Sequence, residues 1–129
     1  KIKKKFLLII ALFIFMGNAK AQDGIKDGEM KKYFFVFLKS GPNKDYSDTA
    51  KMRKYQEGHM NNIKRMADMG KVHIAGPFLD KTELRGIFIM DVKDEDEIKE
   101  LLQEDVYIQE GYLIYEVHPW YSMKGASLK

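Results

Sequence analysis

Residues 33–38 read Tyr-Phe-Phe-Val-Phe-Leu, six consecutive apolar side chains of which four are aromatic. Aromatic and β-branched residues favour extended backbone, and so short an apolar run is typical of a buried strand. A strand with one solvated face would alternate between apolar and polar residues, whereas this run is apolar at both alternate positions. We therefore expect a strand that is covered on both of its faces.

The residues that follow 33–38 alternate between helical and strand patterns. Apolar residues at helical spacing predict a first helix that ends at Gly70, and Asp94 with Glu97 three residues later predicts the start of a second helix. The predicted elements after the first strand are a helix from Ser47-Asp48-Thr49 to Met69, strands at 72–78 and 86–92, a helix that opens at Asp94, and a strand at 112–118 that Pro119 stops.

This βαββαβ order predicts an α+β, ferredoxin-like fold, with a four-stranded antiparallel sheet and two helices on one face. The other face of such a sheet is open. Because the first strand is apolar on both sides, a second copy of the chain is the predicted cover, giving a homodimer with opposed sheet faces. The domain is predicted to span 32–121, between a flexible lead-in at 22–31 and a C-terminal tail at 122–129.

The amino terminus has the three parts of a secretory signal peptide. Residues 1–5 are mostly lysine, residues 6–16 form an uninterrupted apolar run, and Ala19-Lys20-Ala21 has the small-x-small pattern of a cleavage site. The apolar run of 11 residues is too short to cross a bilayer, which takes about 20. We expect cleavage after Ala21, a periplasmic or secreted protein, and no membrane association after cleavage.

Charge and cysteine content exclude several classes of function. The chain carries a net charge of +3, but residues 22–129 hold 17 basic and 19 acidic groups, so nucleic-acid binding is not expected. The absence of cysteine excludes disulfides, thiolate nucleophiles and cysteine-ligated metals. Three histidines without a helix-spaced pair are a weak metal signal, and the sequence has no Gly-rich phosphate loop. Neither a metal nor an organic cofactor is predicted.

His59 is the strongest candidate for chemistry because of its position on the first helix. It lies four residues after Tyr55 and four before Ile63, on the inward stripe. A titratable ring there needs a partner to offset the cost of its desolvation. A carboxylate would orient the ring for proton transfer, and Asp80, just past Gly76-Pro77, is a candidate. The alternative is a half-buried histidine bonded to a backbone carbonyl.

Several short motifs resemble the YCII-related (YciI-like) domain family. The resemblance covers about residues 33–121 and rests on Glu57-Gly58-His59-Met60, Ile74-Ala75-Gly76-Pro77-Phe78 followed by Asp80, Leu84-Arg85-Gly86-Ile87-Phe88, and Val117-His118-Pro119-Trp120. It implies a ferredoxin-like fold, a dimeric α/β-barrel assembly, and a pocket with a His–Asp pair that maps onto His59 and Asp80. The segment from Glu104-Asp105-Val106 to Gly111 resembles the family's Asp-Pro segment, with Val106 where proline is usual.

The resemblance also implies an activity, because a few relatives are dehydrochlorinases of ring compounds or resemble muconolactone isomerases. We therefore expect elimination or isomerisation on a small organic molecule, with His59 as general acid or base and Asp80 as its orienting carboxylate. Arg85 is a candidate to neutralise an anionic substrate, or it lies at the strand edge. Trp120 is a candidate pocket wall or C-terminal anchor. The competing class is a non-catalytic ligand-binding or interaction module.

Overall fold

The computed structural model describes residues 28–129, so the predicted signal peptide and most of the predicted lead-in lie outside the described residues. The elements are β1 (Met30–Ser40), α1 (Thr49–Asp68), β2 (Val72–Pro77), β3 (Leu84–Met90), α2 (Glu95–Leu102), α3 (Val106–Gln109) and β4 (Leu113–Met123). The predicted βαββαβ order is confirmed. The short helix α3 was not predicted, since one turn leaves no periodic apolar pattern.

The four strands form one antiparallel sheet in the order β2-β3-β1-β4. β1 is thus an inner strand, with a neighbouring strand on each of its two edges. Its residues pair with β3 in the register Phe34 with Met90 and Val36 with Phe88. Paired residues share a face of the sheet, so this register places large apolar side chains together on the helix side.

The core lies between this face of the sheet and the helices. Phe34, Val36 and Leu38 of β1 form one apolar cluster with Met66 of α1 and with Ile98 and two leucines of α2. Val36, Met66 and Ile98 are completely buried. Burial of such a side chain contributes about 1.5–3 kcal/mol to stability, and this shared burial holds both helices on one side of the sheet.

Among residues 28–129, the opposite face of the sheet carries aromatic side chains and no helix. The ring of Phe35 lies 4.9 Å from that of Phe37 and 5.6 Å, edge-on, from the indole of Trp120. Phe35 and Phe37 are half-buried, and Trp120 is 40% exposed. The open face therefore carries an aromatic patch, with the polar side chains of His118 and Glu116 of β4 beside it.

The helix ends agree with the capping signals in the sequence. Asp48 caps α1 by accepting from the amide of Lys51, and Gly70 follows the helix with a φ of 73°, a conformation that favours glycine. Asp94 caps α2 by accepting from the amide of Glu97. A hydrogen-bonded ion pair with Lys71 and a bond from the amide of Lys93 hold the pKa of Glu97 below its ordinary value.

The expectation that Pro119 stops the last strand is wrong, because β4 continues to Met123. The strand order explains the difference. β4 is an edge strand, and proline is tolerated in a strand where its missing N–H would face away from the neighbouring strand.

Residues 32–121 form one compact unit. The described residues of the second unit lie at 28–31 and 122–129, where the amide of Gly28 donates to the carbonyl of Lys124 and the amide of Lys124 donates to that of Glu29. In the part of the chain from 28 to 129, no helix has the length and apolar character needed to cross a membrane.

Candidate active site

A cavity of about 550 Å³ lies on the helix side of the sheet. It is lined by residues of all four strands and of helices α1 and α3. Apolar side chains such as Leu38, Met52, Met60, Ile63 and Phe88 form much of its wall. A cavity of this volume and apolar character is typical of sites that hold one small organic molecule.

His59 lines this cavity, and one nitrogen of its ring contacts a buried carboxylate. Its Nδ1 lies 2.5 Å from Oδ2 of Asp105. The side chain of Asp105 is completely buried, and that of His59 is 12% exposed. The other carboxylate oxygen of Asp105 accepts from the amide of Tyr107 and so caps α3. Both oxygens of the carboxylate are therefore engaged, and the orientation of the imidazole is fixed.

The geometry assigns different roles to the two ring nitrogens of His59. An ionised carboxylate only accepts hydrogen bonds, so beside an ionised Asp105 the proton of the neutral ring would lie on Nδ1, which would donate it. Nε2 has no hydrogen-bond partner among residues 28–129, and no buried side-chain nitrogen or oxygen in that part of the chain lacks a partner. Nε2 is therefore accessible to solvent, and in the neutral ring it offers a lone pair at the cavity.

The carboxylate beside His59 belongs to Asp105, which corrects the expectation that Asp80 orients the ring. Asp80 is exposed in the loop between β2 and β3 and does not line the cavity. No hydrogen bond or ion pair joins it to His59 in the described chain. The expectation placed Asp80 at the end of a strand, but the loop directs this position to solvent, while α3 brings Asp105 under α1.

Tyr107 packs against the imidazole and is a hydrogen-bond donor. Its ring centroid lies 5.1 Å from that of His59, and its hydroxyl donates to Oε1 of Gln56 at 2.9 Å. Burial and the nearby negative charge of Asp105 raise the pKa of Tyr107, while the positive charge of Arg85 acts in the opposite direction. The phenol therefore stays protonated at neutral pH and is not available as a base.

The other two predicted site residues lie apart from each other. Arg85 is exposed at the start of β3 and lines the cavity. Trp120 does not line it, because Trp120 lies on the open face of the sheet, against Phe35. Along β4, Tyr115 and Val117 pack on the core, so the residue at 120 points to the other side. Of the two roles predicted for Trp120, pocket wall or C-terminal anchor, the first does not apply to this cavity.

Sequence reasoning missed Asp105, Tyr107 and Gln56 as parts of the site. The sequence did contain a signal that Asp105 belongs to the site, because Asp105 lies in the segment that resembles the family's Asp-Pro segment. That segment was interpreted as a loop. No sequence signal pointed to Tyr107 or Gln56, because their contact joins residues 51 positions apart and depends on how α3 packs on α1. Within residues 28–129 there is no group of three histidine or acidic side chains that could hold a metal ion.

Comparison with known proteins bears on the whole folded unit. The model of the family described as the YCII-related domain matches residues 33–121, more than half of the chain. The match includes the cavity-lining strands and both members of the His59–Asp105 pair. A search of curated proteins finds no match. On the strength of the family match, the chain belongs to the YCII-related domain family.

Proposed function

We propose that this protein is a small-molecule enzyme in which His59 acts as the general base or acid of an elimination or isomerisation. The observation that carries the proposal is the accessible Nε2 of an imidazole whose Nδ1 is bound to the buried carboxylate of Asp105. In the neutral ring Nε2 is a base, and the imidazolium that forms when it takes a proton is stabilised by Asp105.

The cavity supports proton transfer better than nucleophilic chemistry. The chain has no cysteine, and Thr49 is the one aliphatic hydroxyl among the described lining residues. In the proposed elimination, Nε2 takes a proton from a carbon of the substrate and the C–H electron pair forms a double bond to the adjacent carbon. The bond from that adjacent carbon to the leaving group breaks, and the leaving group departs with its electron pair. In the isomerisation, His59 returns the proton to a different carbon.

The test is deuterium exchange into a panel of small ring compounds, including lactones and halogenated lactones, each with a C–H beside a carbonyl. We expect wild-type protein in D₂O to exchange such a proton in at least one compound, as followed by ¹H NMR. His59→Gln should abolish the exchange, and His118→Gln should retain it, because His118 is exposed on the open face of the sheet, near Phe37.

Equal exchange rates for wild type and His59→Gln would contradict the proposal. Binding of panel compounds without exchange in any of them would also contradict it. That second result would support the alternative function, a ligand-binding module of the same fold.

We also propose that a second copy of the chain covers the open sheet face. The support is the apolar patch on that face, where Phe35, Phe37 and Trp120 form a continuous aromatic contact and Ile87 lies opposite Phe37 in the register. A face placed against its own copy gives a closed, two-fold assembly. It would also remove this aromatic surface from water.

We expect light scattering at micromolar concentration to give the mass of a dimer. Phe37→Lys should give a monomer, because a charge at the centre of the apolar face would be desolvated in the dimer. Glu57→Lys is the matched control on the exposed side of α1 and should stay dimeric. A monomeric mass for the wild type would contradict this proposal and leave the role of His59 to its own test.

Export is the remaining part of the proposal. Its support is the sequence of residues 1–21, with a lysine-rich start, an apolar run and a small-x-small site. Mature protein recovered from the periplasm or medium should begin at Gln22. Recovery with residues 1–21 still attached would contradict cleavage.

A further inference from the structure

The charge that lines the cavity is of one sign. Arg85 is the one residue with a fixed charge among the described lining residues, and none of those residues is aspartate or glutamate. Asp105 lies close by, but its side chain is completely buried behind His59. A ligand in this cavity therefore meets a positive charge beside an apolar wall.

The guanidinium of Arg85 has no ion pair or hydrogen bond with any side chain or carbonyl between residues 28 and 129. Arg65, on the far half of α1, is bonded differently. Its guanidinium donates to Oδ1 of Asn62 at 2.8 Å and to the carbonyl of Leu101. The five donors of Arg85 are thus available to a molecule that enters the cavity.

Tyr46 supplies a second free donor among the residues that line the cavity. Its hydroxyl has no hydrogen-bond partner within the described residues, whereas the hydroxyls of Tyr107 and Tyr112 donate to Gln56 and to the carbonyl of Asp45. Tyr46 and Arg85 both lie close enough to the Tyr107 phenol to act on its pKa, in opposite directions. Arg85 and Tyr46 therefore line the same cavity, and both act on Tyr107.

We propose that the cavity takes a small apolar acid as its carboxylate anion, with the carboxylate held by Arg85 and Tyr46 and the hydrocarbon part packed on the apolar wall. This inference rests on the proposed function, since it names the substrate class of the same site. A planar carboxylate matches the donor fork of one arginine, and the apolar wall disfavours a strongly hydrated inorganic anion.

The arrangement also bears on the proposed chemistry. Arg85 and His59 line the same cavity from the sheet and from α1. A carboxylate anchored at Arg85 would hold the carbons of the ligand next to it between Arg85 and His59. The negative charge that develops when Nε2 of His59 takes a proton would then form near a fixed positive charge.

The test compares the binding of benzoate with that of benzamide, a neutral molecule of nearly the same shape, by NMR titration of the full-length mature protein. We expect benzoate to bind at least about tenfold more tightly than benzamide, as a charge-assisted bond to arginine predicts. Arg85→Met should remove this preference and leave benzamide binding unchanged. Tyr46→Phe should weaken benzoate binding a few-fold, and Arg53→Met, an exposed arginine of α1 outside the cavity, should change neither.

Equal binding of the two probes, no binding of either, or an unchanged preference in Arg85→Met would overturn the inference. The preference should also persist in His59→Gln. If it is lost there and kept in Arg85→Met, the anion is held by the imidazolium and the inference is wrong. Since no turnover is measured, a failure here is distinct from a failure of the proton-transfer proposal, which deuterium exchange tests.

Discussion

Asp105→Asn is expected to lower turnover about 10³-fold or more while the protein stays folded. The asparagine Oδ1 can still accept from the amide of Tyr107, so the cap of α3 is kept. The asparagine amide would donate to Nδ1 of His59, where the carboxylate accepts. The neutral ring would then carry its proton on Nε2 and present no lone pair at the cavity.

The measurement is the rate of deuterium exchange or turnover with the compound that the ring panel identifies, together with a thermal melt of each variant. Asp105→Ala is the comparison, because it also removes the cap and is expected to lower the free energy of unfolding by about 1 kcal/mol or more. A folded Asp105→Asn protein with the wild-type rate would mean that the carboxylate does not set the state of His59.

Gly41→Ala is expected to lower the free energy of unfolding by about 3 kcal/mol. Gly41 follows β1 and is buried, and its amide donates to the carbonyl of Tyr112 at 2.8 Å. A Cβ at this position would lie 2.1 Å from the carbonyl oxygen of Gly111, which is backbone and cannot rotate away as a side chain could. The chain on either side must therefore shift, which breaks the close approach of the two segments.

Urea denaturation of the mature protein measures this effect, and Gly76→Ala is the matched control. Apart from its own residue and its two chain neighbours, a Cβ at Gly76 would meet no heavy atom of residues 28–129 within 4 Å, so we expect a change of about 1 kcal/mol at most. If Gly41→Ala and Gly76→Ala have the same stability, the close packing at Gly41 is not a constraint on the fold.

Much of the fold was predictable because its signals are local. The apolar run at 33–38, the helical stripe that ends at Gly70 and the cap at Asp94 each lie within one element and depend on its own residues. The spacing of His59 from Tyr55 and Ile63 is also local, and it predicted that His59 lies on the inward side of α1. The signal at Pro119 misled because proline stops a strand only where a backbone N–H is needed, and the strand order that decides this is not a local property.

The partner of His59 could not be derived in this way. Asp105 lies 46 residues further along the chain, and the contact depends on the packing of α3 against α1. Asp80 was favoured because it follows a strand, but its orientation is set by the loop between β2 and β3. The two carboxylates differ in burial. Asp105 is completely buried and can hold an imidazole in one orientation, whereas the exposed carboxylate of Asp80 would be solvated by water.

The central claim is that Asp105 holds His59 with a free Nε2 at the cavity, and the position of the ring proton tests it most directly. Long-range ¹H–¹⁵N correlation of the neutral imidazole should place the proton of wild-type His59 on Nδ1 and leave Nε2 unprotonated. Asp105→Asn should move the proton to Nε2. A wild-type ring that carries its proton on Nε2 would contradict the account.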